Sequence, residues 1–252
     1  MTAQDPWAGL RRLTAARIAL GRAGDGLPTA RVLEFQLAHA RARDSVWTDF
    51  DSEMIMGGVA GLGLPAVLVR TAAADRAAYL RDPSLGRRLA AGESARLARG
   101  DWDAAVVVTD GLSARAVHQH ALATLAAMTG ALPSWRLAPV VVAPFGRVAL
   151  ADEIGAALGA SMTVILVGER PGLSSADSLG AYLTWDPRPG RQNAERNCVS
   201  NIRPDGLDPA LAGMTVARLM RMARQRRLTG VGLKDEGPGI TDSAPPKLGS
   251  AG

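Results

Sequence analysis

The fold class of this chain is decided by one stretch, which reads Thr163-Val164-Ile165-Leu166-Val167-Gly168-Glu169-Arg170-Pro171-Gly172-Leu173. Its first five positions are apolar or β-branched without alternation, which predicts a strand buried on both faces, the pattern of a parallel sheet. Ligands of open parallel sheets bind in the crevice beyond the carboxyl ends of the strands. Glu169 therefore lies where a functional residue is expected.

Two other segments repeat this arrangement. An apolar run at 104–109 leads into Asp110-Gly111-Leu112-Ser113, and a run at 139–143 leads into Pro144-Phe145-Gly146-Arg147-Val148. Each run is followed by a glycine-containing elbow and then by a helical pattern, and right-handed βαβ crossovers would bring the three elbows to one edge of a sheet. Taken singly, Asp110 and Ser113 are also ordinary turn and helix-cap residues. Three elbows on one rim favour a binding edge.

Composition narrows the class of protein. The 252 residues are 47% hydrophobic and 21% charged, which is typical of a globular protein of one large or two small domains. No apolar stretch is long enough to span a membrane, and the first residues lack the apolar core of a secretory signal. The single cysteine, Cys198, excludes an internal disulfide framework and is consistent with a reducing compartment. We therefore expect a cytoplasmic protein.

The net charge of +5 does not indicate a nucleic-acid binder. Only Lys234 and Lys247 are lysines, and the arginines are interleaved with carboxylates along the whole chain. An electrostatic footprint for nucleic acid needs clustering on one face, and aromatic residues for stacking on bases make up only 4%. We predict no nucleic-acid partner and no membrane partner.

Periodicity divides the chain into a mainly helical region at 1–100, a sheet domain at 101–235 and a disordered tail at 236–252. We predict helices at 6–24, 29–44, 51–63, 83–99, 113–128, 150–158 and 175–181, with a last helix that begins at Asp208-Pro209 and ends before Gly230. The further strand candidates are 66–70, 182–185 and 198–202. The N-terminal region holds no obvious chemical motif.

The motifs of common catalytic sites are absent from the sequence. There is no P-loop, no Gly-x-Gly-x-x-Gly between a strand and a helix, and no Gly-x-Ser-x-Gly. His118 and His120 point to different sides of a helix, so we predict no metal site. Cys198 has no adjacent histidine and is expected to be a small buried apolar residue. The residues alone indicate a ligand-holding α/β module without catalytic residues of its own.

Several longer motifs carry a family resemblance. They include residues 81–89, which read Arg-Asp-Pro-Ser-Leu-Gly-Arg-Arg-Leu, the block Gly168-Glu169-Arg170-Pro171-Gly172-Leu173, and Asn197-Cys198-Val199-Ser200-Asn201-Ile202 about thirty residues later. With these motifs in this order, the chain resembles the small (light) subunit of ethanolamine ammonia-lyase. That carbon–nitrogen lyase uses adenosylcobalamin to convert ethanolamine to acetaldehyde and ammonia.

The resemblance implies a Rossmann-like parallel-sheet domain preceded by a mainly helical region. It also implies a large-subunit partner, a (β/α)₈ barrel that binds ethanolamine and carries the radical chemistry, with cobalamin gripped between the two chains. Position by position, the family's small-subunit cobalamin contacts fall on Val148, Glu169 and Cys198. Asp110, Ser113, Arg147 and Arg170 are ranked lower, and no catalytic residue is assigned.

Two absences refine what the resemblance implies. The chain lacks Asp-x-His-x-x-Gly, so cobalamin is expected to keep its own base on cobalt rather than accept a protein histidine. Some family members carry a longer polar N-terminal extension linked to bacterial microcompartments, and the match here starts within the first dozen residues. Cytoplasm is therefore the expected location, with a bacterial microcompartment as the alternative.

Two other functions remain open from the residues. The first is a stand-alone nucleotide-binding Rossmann-type enzyme, which would bind NAD(P) or a mononucleotide without a partner. The second is an arginine-rich scaffold or nucleic-acid adaptor, whose binding would depend steeply on salt. For Glu169 the competing interpretation is a structural ion pair with Arg147 or Arg170.

Overall fold

The apolar runs of the sequence form one six-stranded sheet in the computed structural model, which describes residues 7–14 and 16–234. The strands are β1 (Ala66–Leu68), β2 (Ala105–Thr109), β3 (Val140–Val142), β4 (Met162–Gly168), β5 (Leu179–Trp185) and β6 (Arg196–Ile202). Their order across the sheet is β1-β3-β2-β4-β5-β6. The strand predictions at 104–109, 139–143 and 163–167 are therefore confirmed.

Helices cover both faces of this sheet. They are α1 (Ala8–Arg11), α2 (Thr29–Trp47), α3 (Ser52–Gly61), α4 (Arg76–Arg81), α5 (Ala114–Gly130), α6 (Leu150–Leu158) and α7 (Pro209–Arg226). The helix predicted at 6–24 is wrong beyond Arg11, because the described residues that follow form no helix before Thr29. The caps follow the sequence: Ser113 accepts from the N–H of Ala116 at the start of α5, and Asp208 accepts from two N–H groups at the start of α7. No helix among the described residues is long and apolar enough to cross a membrane.

The central strands are buried on both faces, as the absence of alternation predicts. Val106 and Val108 pack in one apolar cluster with α3, α5 and α7. Val107 lies between them in sequence but packs on the opposite face, in the cluster that contains α6. All three side chains are at most 1% exposed, so each face of β2 contributes to a separate core.

The prediction of an all-parallel sheet is wrong beyond β4. Strands β1 to β4 are parallel to one another, but β5 is antiparallel to β4, and β6 is antiparallel to β5. The physical reason is the connection: only ten residues join β4 to β5, whereas a parallel return needs a crossover of a dozen or more. The fold class is therefore α/β with a mixed sheet, and the predicted helix at 175–181 is replaced by this loop and the start of β5.

The predicted helix at 83–99 is also wrong, because this segment forms only two short 3₁₀ turns, Leu85–Arg87 and Glu93–Arg96. Its backbone groups bond to other parts of the chain: the Gly86 carbonyl accepts from Arg147 N–H at 2.7 Å. A Cβ on Gly86 would lie 2.4 Å from the Phe145 carbonyl oxygen. The segment therefore packs closely against the β3 elbow instead of forming a helix.

Region 1–100 contributes β1 to the same sheet as the C-terminal strands, because β1 pairs with β3. The proposed division of the chain at residues 100 and 235 stays a prediction. The tail predicted to be disordered, 236–252, lies outside the described residues.

Candidate functional site

Three strand ends meet at one rim of the sheet, as the three elbows predict. The elbow after β2 contacts the end of β4, because Leu112 N–H donates to the Gly168 carbonyl at 3.0 Å. It also holds the elbow after β3, since Phe145 N–H donates to Asp110 Oδ1 at 2.6 Å. Hydrogen bonds between the elbows therefore connect the rim and fix the positions of its side chains.

Asp110 supports this rim from inside. Its side chain is fully buried and forms an ion pair with Arg76 of α4, which also donates to the Gly111 carbonyl at 2.7 Å. The Arg76 guanidinium lies near the rings of Tyr79 and Phe145, at 5.5 and 5.2 Å from their centroids. Burial raises the pKa of Asp110, and the opposing effects come from Arg76 and the Phe145 N–H. Asp110 therefore organises the elbows and does not face a ligand.

Ser113 is likewise a structural residue. It is fully buried, caps α5 and lies 2.7 Å, oxygen to oxygen, from the hydroxyl of Ser45 on α2. Ser45 donates to the Ala176 carbonyl at 2.6 Å, and the Ser113 oxygen lies 3.2 Å from the same carbonyl oxygen. Ser113 thus ties α2 and the loop after β4 to the β2 elbow, and the structure does not place it among the ligand-facing residues.

A cleft of about 1180 Å³ opens at the rim. Four of the predicted residues line it, namely Arg147, Val148, Glu169 and Arg170. Val148 also packs on the cluster that contains α6. Glycine backbone at Gly111 and Gly168 forms part of the wall. The structure therefore brings together the ends of β2, β3 and β4 around one space.

Glu169 is held in this cleft by neutral partners. Its Oε2 accepts from the Ser178 hydroxyl at 2.5 Å and lies 3.4 Å from Asn201 N–H. Its Oε1 lies over Gly180, where a Cβ would approach to 2.8 Å, so only glycine leaves room for this carboxylate position. Within residues 7–14 and 16–234 no arginine forms an ion pair with Glu169. The competing interpretation of Glu169, an ion pair with Arg147 or Arg170, does not hold.

Cys198 lies beside this carboxylate on β6. It pairs in register with Tyr182 of β5, the neighbouring strand. The prediction that Cys198 is a buried apolar residue is wrong, because its side chain is exposed on the surface of β6. Partial desolvation and the charge of Glu169 raise the pKa of the thiol, so it is neutral near pH 7. It offers a polarizable contact surface and not a thiolate nucleophile.

The sequence interpretation missed part of the cleft. From the N-terminal region, α4 and the 81–89 segment contribute Tyr79, Ser84, Arg87 and Arg88. On the other side, the β5–β6 loop contributes Pro189, Gly190, Arg191, Gln192 and Asn193. The available signal was the family-like motif at 81–89, which contains no recognisable chemistry when considered alone. Ser178 was also missed, because its link to Glu169 depends on the turn of β5 against β4.

The two histidines of α5 are separated as predicted. His118 Nε2 accepts from Asp51 N–H at 3.0 Å, whereas His120 is buried with an unbonded Nε2. Over the part of the chain that the structure describes, no group of three or more His, Cys, Asp or Glu side chains is arranged to hold a metal ion.

Comparison with known proteins defines the family. A sequence model described as "Ethanolamine ammonia-lyase light chain (EutC)" matches residues 4–234. The chain belongs to this family. It is 54% identical over 243 residues to a protein from Azotobacter vinelandii, covering 92% of this chain and 89% of the relative, and 53% identical over 242 residues to one from Pseudomonas fluorescens, covering 92% and 88%. A relative from Pseudomonas syringae pv. tomato is 52% identical over 241 residues, covering 92% and 84%. All three are named ethanolamine ammonia-lyase small subunit.

The match to the ethanolamine ammonia-lyase light chain family spans the N-terminal helices as well as the sheet. It therefore includes both walls of the cleft, from Tyr79 to Arg196. Membership favours a subunit of a lyase over a stand-alone nucleotide-binding enzyme.

Proposed function

We propose that this chain is the small subunit of ethanolamine ammonia-lyase and that its rim holds adenosylcobalamin against the large subunit. The observation that carries the proposal is the position of Glu169, an ion-pair-free carboxylate that lines a cleft of about 1180 Å³. The exposed Cys198 is not among the residues that line this cleft and lies next to it on β6. Val148 on the β3 elbow completes the proposed set of contacts. The proposed location is the cytoplasm, with a bacterial microcompartment as the alternative.

The chemistry of the cleft fits cobalamin, a large ring fringed with amides and joined to a nucleotide tail through a phosphate. Amide N–H and ribose O–H groups need acceptors, and Glu169 Oε1 accepts no hydrogen bond from the described residues. Val148 and the Cys198 thiol provide neutral contact surface, and the exposed peptide groups of the elbows provide further polar partners. When bound, adenosylcobalamin supplies the radical chemistry.

The proposed role of this chain is to bind and orient the cofactor, because two ionisable side chains that line the cleft are held in place within the fold. Burial raises the pKa of Tyr182, so its hydroxyl stays neutral near pH 7. Asp152 is buried in a bidentate pair with Arg196, with both oxygen–nitrogen distances 2.6 Å. We therefore assign substrate binding and catalysis to the large subunit and place no catalytic residue in this chain.

The distribution of apolar surface supports a large partner. In helix α2 only Ser45 is buried. Eight of the fifteen large apolar side chains that are exposed in the described residues lie between residues 7 and 47; they are Trp7, Leu10, Leu13, Leu27, Leu33, Phe35, Leu37 and Trp47. Exposed apolar side chains concentrated in one region of a chain are typical of an interaction surface, and we propose that the large subunit covers this region.

The decisive experiment measures acetaldehyde or ammonia release from ethanolamine and adenosylcobalamin with this chain, with its large partner and with both. Activity is expected only with both chains. Glu169→Gln should raise the cobalamin concentration needed for half-maximal activity. Glu53→Gln, which changes an exposed carboxylate on α3 outside the cleft, should not.

Two results would contradict the proposal. An inactive mixture of folded chains that retains no cobalamin would remove the cofactor role. Binding of NAD(P) by the isolated chain would support the stand-alone nucleotide-binding enzyme instead.

A further inference from the structure

The cleft carries an excess of positive charge. Six arginines and three carboxylates line it; the arginines are Arg87, Arg88, Arg147, Arg170, Arg191 and Arg196. Two of them are neutralised inside the protein, since Arg196 is paired with Asp152 and Arg191 is paired with Asp186 and Glu195. Of the three carboxylates, Glu153 Oε2 accepts from Leu89 N–H at 2.8 Å and Glu169 accepts from Ser178. The remaining arginines form no ion pair with any described residue.

Among these four unpaired arginines, Arg147 is the one that the fold holds in place. Its backbone N–H donates to Gly86, and the preceding Gly146 N–H donates to the Thr109 hydroxyl at 2.8 Å. Its guanidinium lies 5.9 Å from the centre of the Tyr79 ring. Arg147 is half-buried, whereas Arg87, Arg88 and Arg170 are exposed. An unpaired guanidinium on an ordered elbow loses little side-chain entropy when it binds an anion.

We propose that Arg147 binds the phosphodiester of the cobalamin nucleotide tail, an inference that rests on the proposed function. The phosphate is the anionic group of an otherwise amide-fringed molecule, and the planar fork of a guanidinium matches phosphate oxygens. Partial burial strengthens this attraction, because water screens it less. Arg147 and Glu169 then bind different groups of the cofactor. The guanidinium of Arg147 binds the phosphate, whereas the carboxylate of Glu169 accepts hydrogen bonds from neutral N–H or O–H groups and repels the phosphate.

The experiment compares two corrinoids on the complex of this chain with its large partner. Cyanocobalamin carries the phosphate and nucleotide, and cyanocobinamide lacks both. Dissociation constants are measured by equilibrium dialysis with detection of corrin absorbance, for the unaltered complex, Arg147→Met, Arg147→Lys and Arg188→Met. The last variant is the matched control, because Arg188 is exposed, pairs with Asp186 and does not line the cleft.

Arg147→Met should weaken cyanocobalamin binding by tenfold or more, the change expected when a charge-assisted hydrogen bond is lost. Binding of cyanocobinamide should stay within twofold. Arg147→Lys should recover part of the affinity, since it keeps the charge but not the fork. Arg188→Met should leave both constants unchanged. Added potassium phosphate should weaken cobalamin binding to the unaltered complex more than to Arg147→Met, beyond the effect of potassium chloride at equal ionic strength.

Equal weakening of both corrinoids by Arg147→Met, or no weakening of either, would overturn the assignment. If phosphate competes but the two corrinoids respond alike, Arg147 binds free anions and not the nucleotide tail. Failure of the proposed function looks different: the unaltered complex would then bind neither corrinoid, or Glu169→Gln would leave cobalamin binding unchanged. Circular dichroism melting of each variant shows whether a loss of binding comes from unfolding.

Discussion

The ends of β2 and β4 each present a carboxylate at the same rim, yet the two residues have different surroundings. Asp110 is fully buried and carries its own cation, Arg76. Glu169 lines the cleft and is held by the neutral hydroxyl of Ser178. The two acids differ in their partners: Asp110 has a cation within the fold, whereas Glu169 has none among the described residues and is therefore the one that we propose for a ligand.

The largest expected effect is a loss of stability when Asp110, but not Glu169, is replaced by its amide. Asp110→Asn should lower the free energy of unfolding by about 3–5 kcal/mol, because it leaves the largely buried Arg76 without its counter-charge. Urea unfolding followed by circular dichroism measures this change. A loss below about 1 kcal/mol would mean that Asp110 is no more structural than a surface residue.

Glu169→Gln should have the opposite profile. The amide keeps the size of the side chain, so the free energy of unfolding should change by less than about 0.5 kcal/mol. Cobalamin affinity of the complex with the large subunit should fall about tenfold, since a charged acceptor becomes neutral. Equilibrium dialysis gives the affinity, and Glu53→Gln is the control. If Glu169→Gln destabilises the chain as much as Asp110→Asn, the distinction between the two acids fails.

Ser178 offers a finer test of how Glu169 is held. Ser178→Ala removes the hydrogen bond to Glu169 Oε2 and should weaken cobalamin binding by about threefold, through loss of orientation. Maximal activity at saturating cofactor should stay unchanged. Ser178→Thr keeps a hydroxyl and should restore most of the affinity. A decrease in maximal rate without a change in affinity would contradict a positioning role.

The smallest expected effect concerns the thiol beside Glu169. Burial first, and the Glu169 charge second, raise the pKa of Cys198, so the reactive thiolate should appear only at a pH above the ordinary range of a cysteine. Iodoacetamide labelling, read by mass spectrometry from pH 7 to 10, should show this delay. In Glu169→Gln the labelling curve should move to lower pH, because one source of the shift is gone. An unchanged curve would mean that the two groups do not interact.

Local patterns predict the parts of this fold that depend on local physics. The continuous apolar runs identify β2, β3 and β4, and the Ser113 and Asp208 caps locate the starts of α5 and α7. Periodicity does not predict the direction of a strand. The direction of β5 is antiparallel because its connection to β4 is short. The predicted helix at 83–99 fails for a related reason, since partners distant in sequence take its carbonyl groups: Gly86 accepts from Arg147 N–H and Arg88 from Ala72 N–H.

The site shows the same division. Glu169, Arg147 and Val148 follow strand ends, so their place in the cleft could be predicted from the elbows. The structural role of Asp110 could not, because its cation comes from α4, thirty-four residues earlier. The exposure of Cys198 also required the structure, since a lone cysteine gives no sign of which face of an edge strand it occupies.

The antiparallel direction of β5 has a consequence for shape. A parallel return after β4 would need a crossover helix, and that helix would cover one face of the sheet. With β5 and β6 folded back as a hairpin, α7 packs on one face, while Cys198 and Ser200 are exposed on β6. This side of β6 is therefore open beside the cleft rather than covered by a helix, which is the arrangement that the proposed binding of a cofactor between two subunits requires.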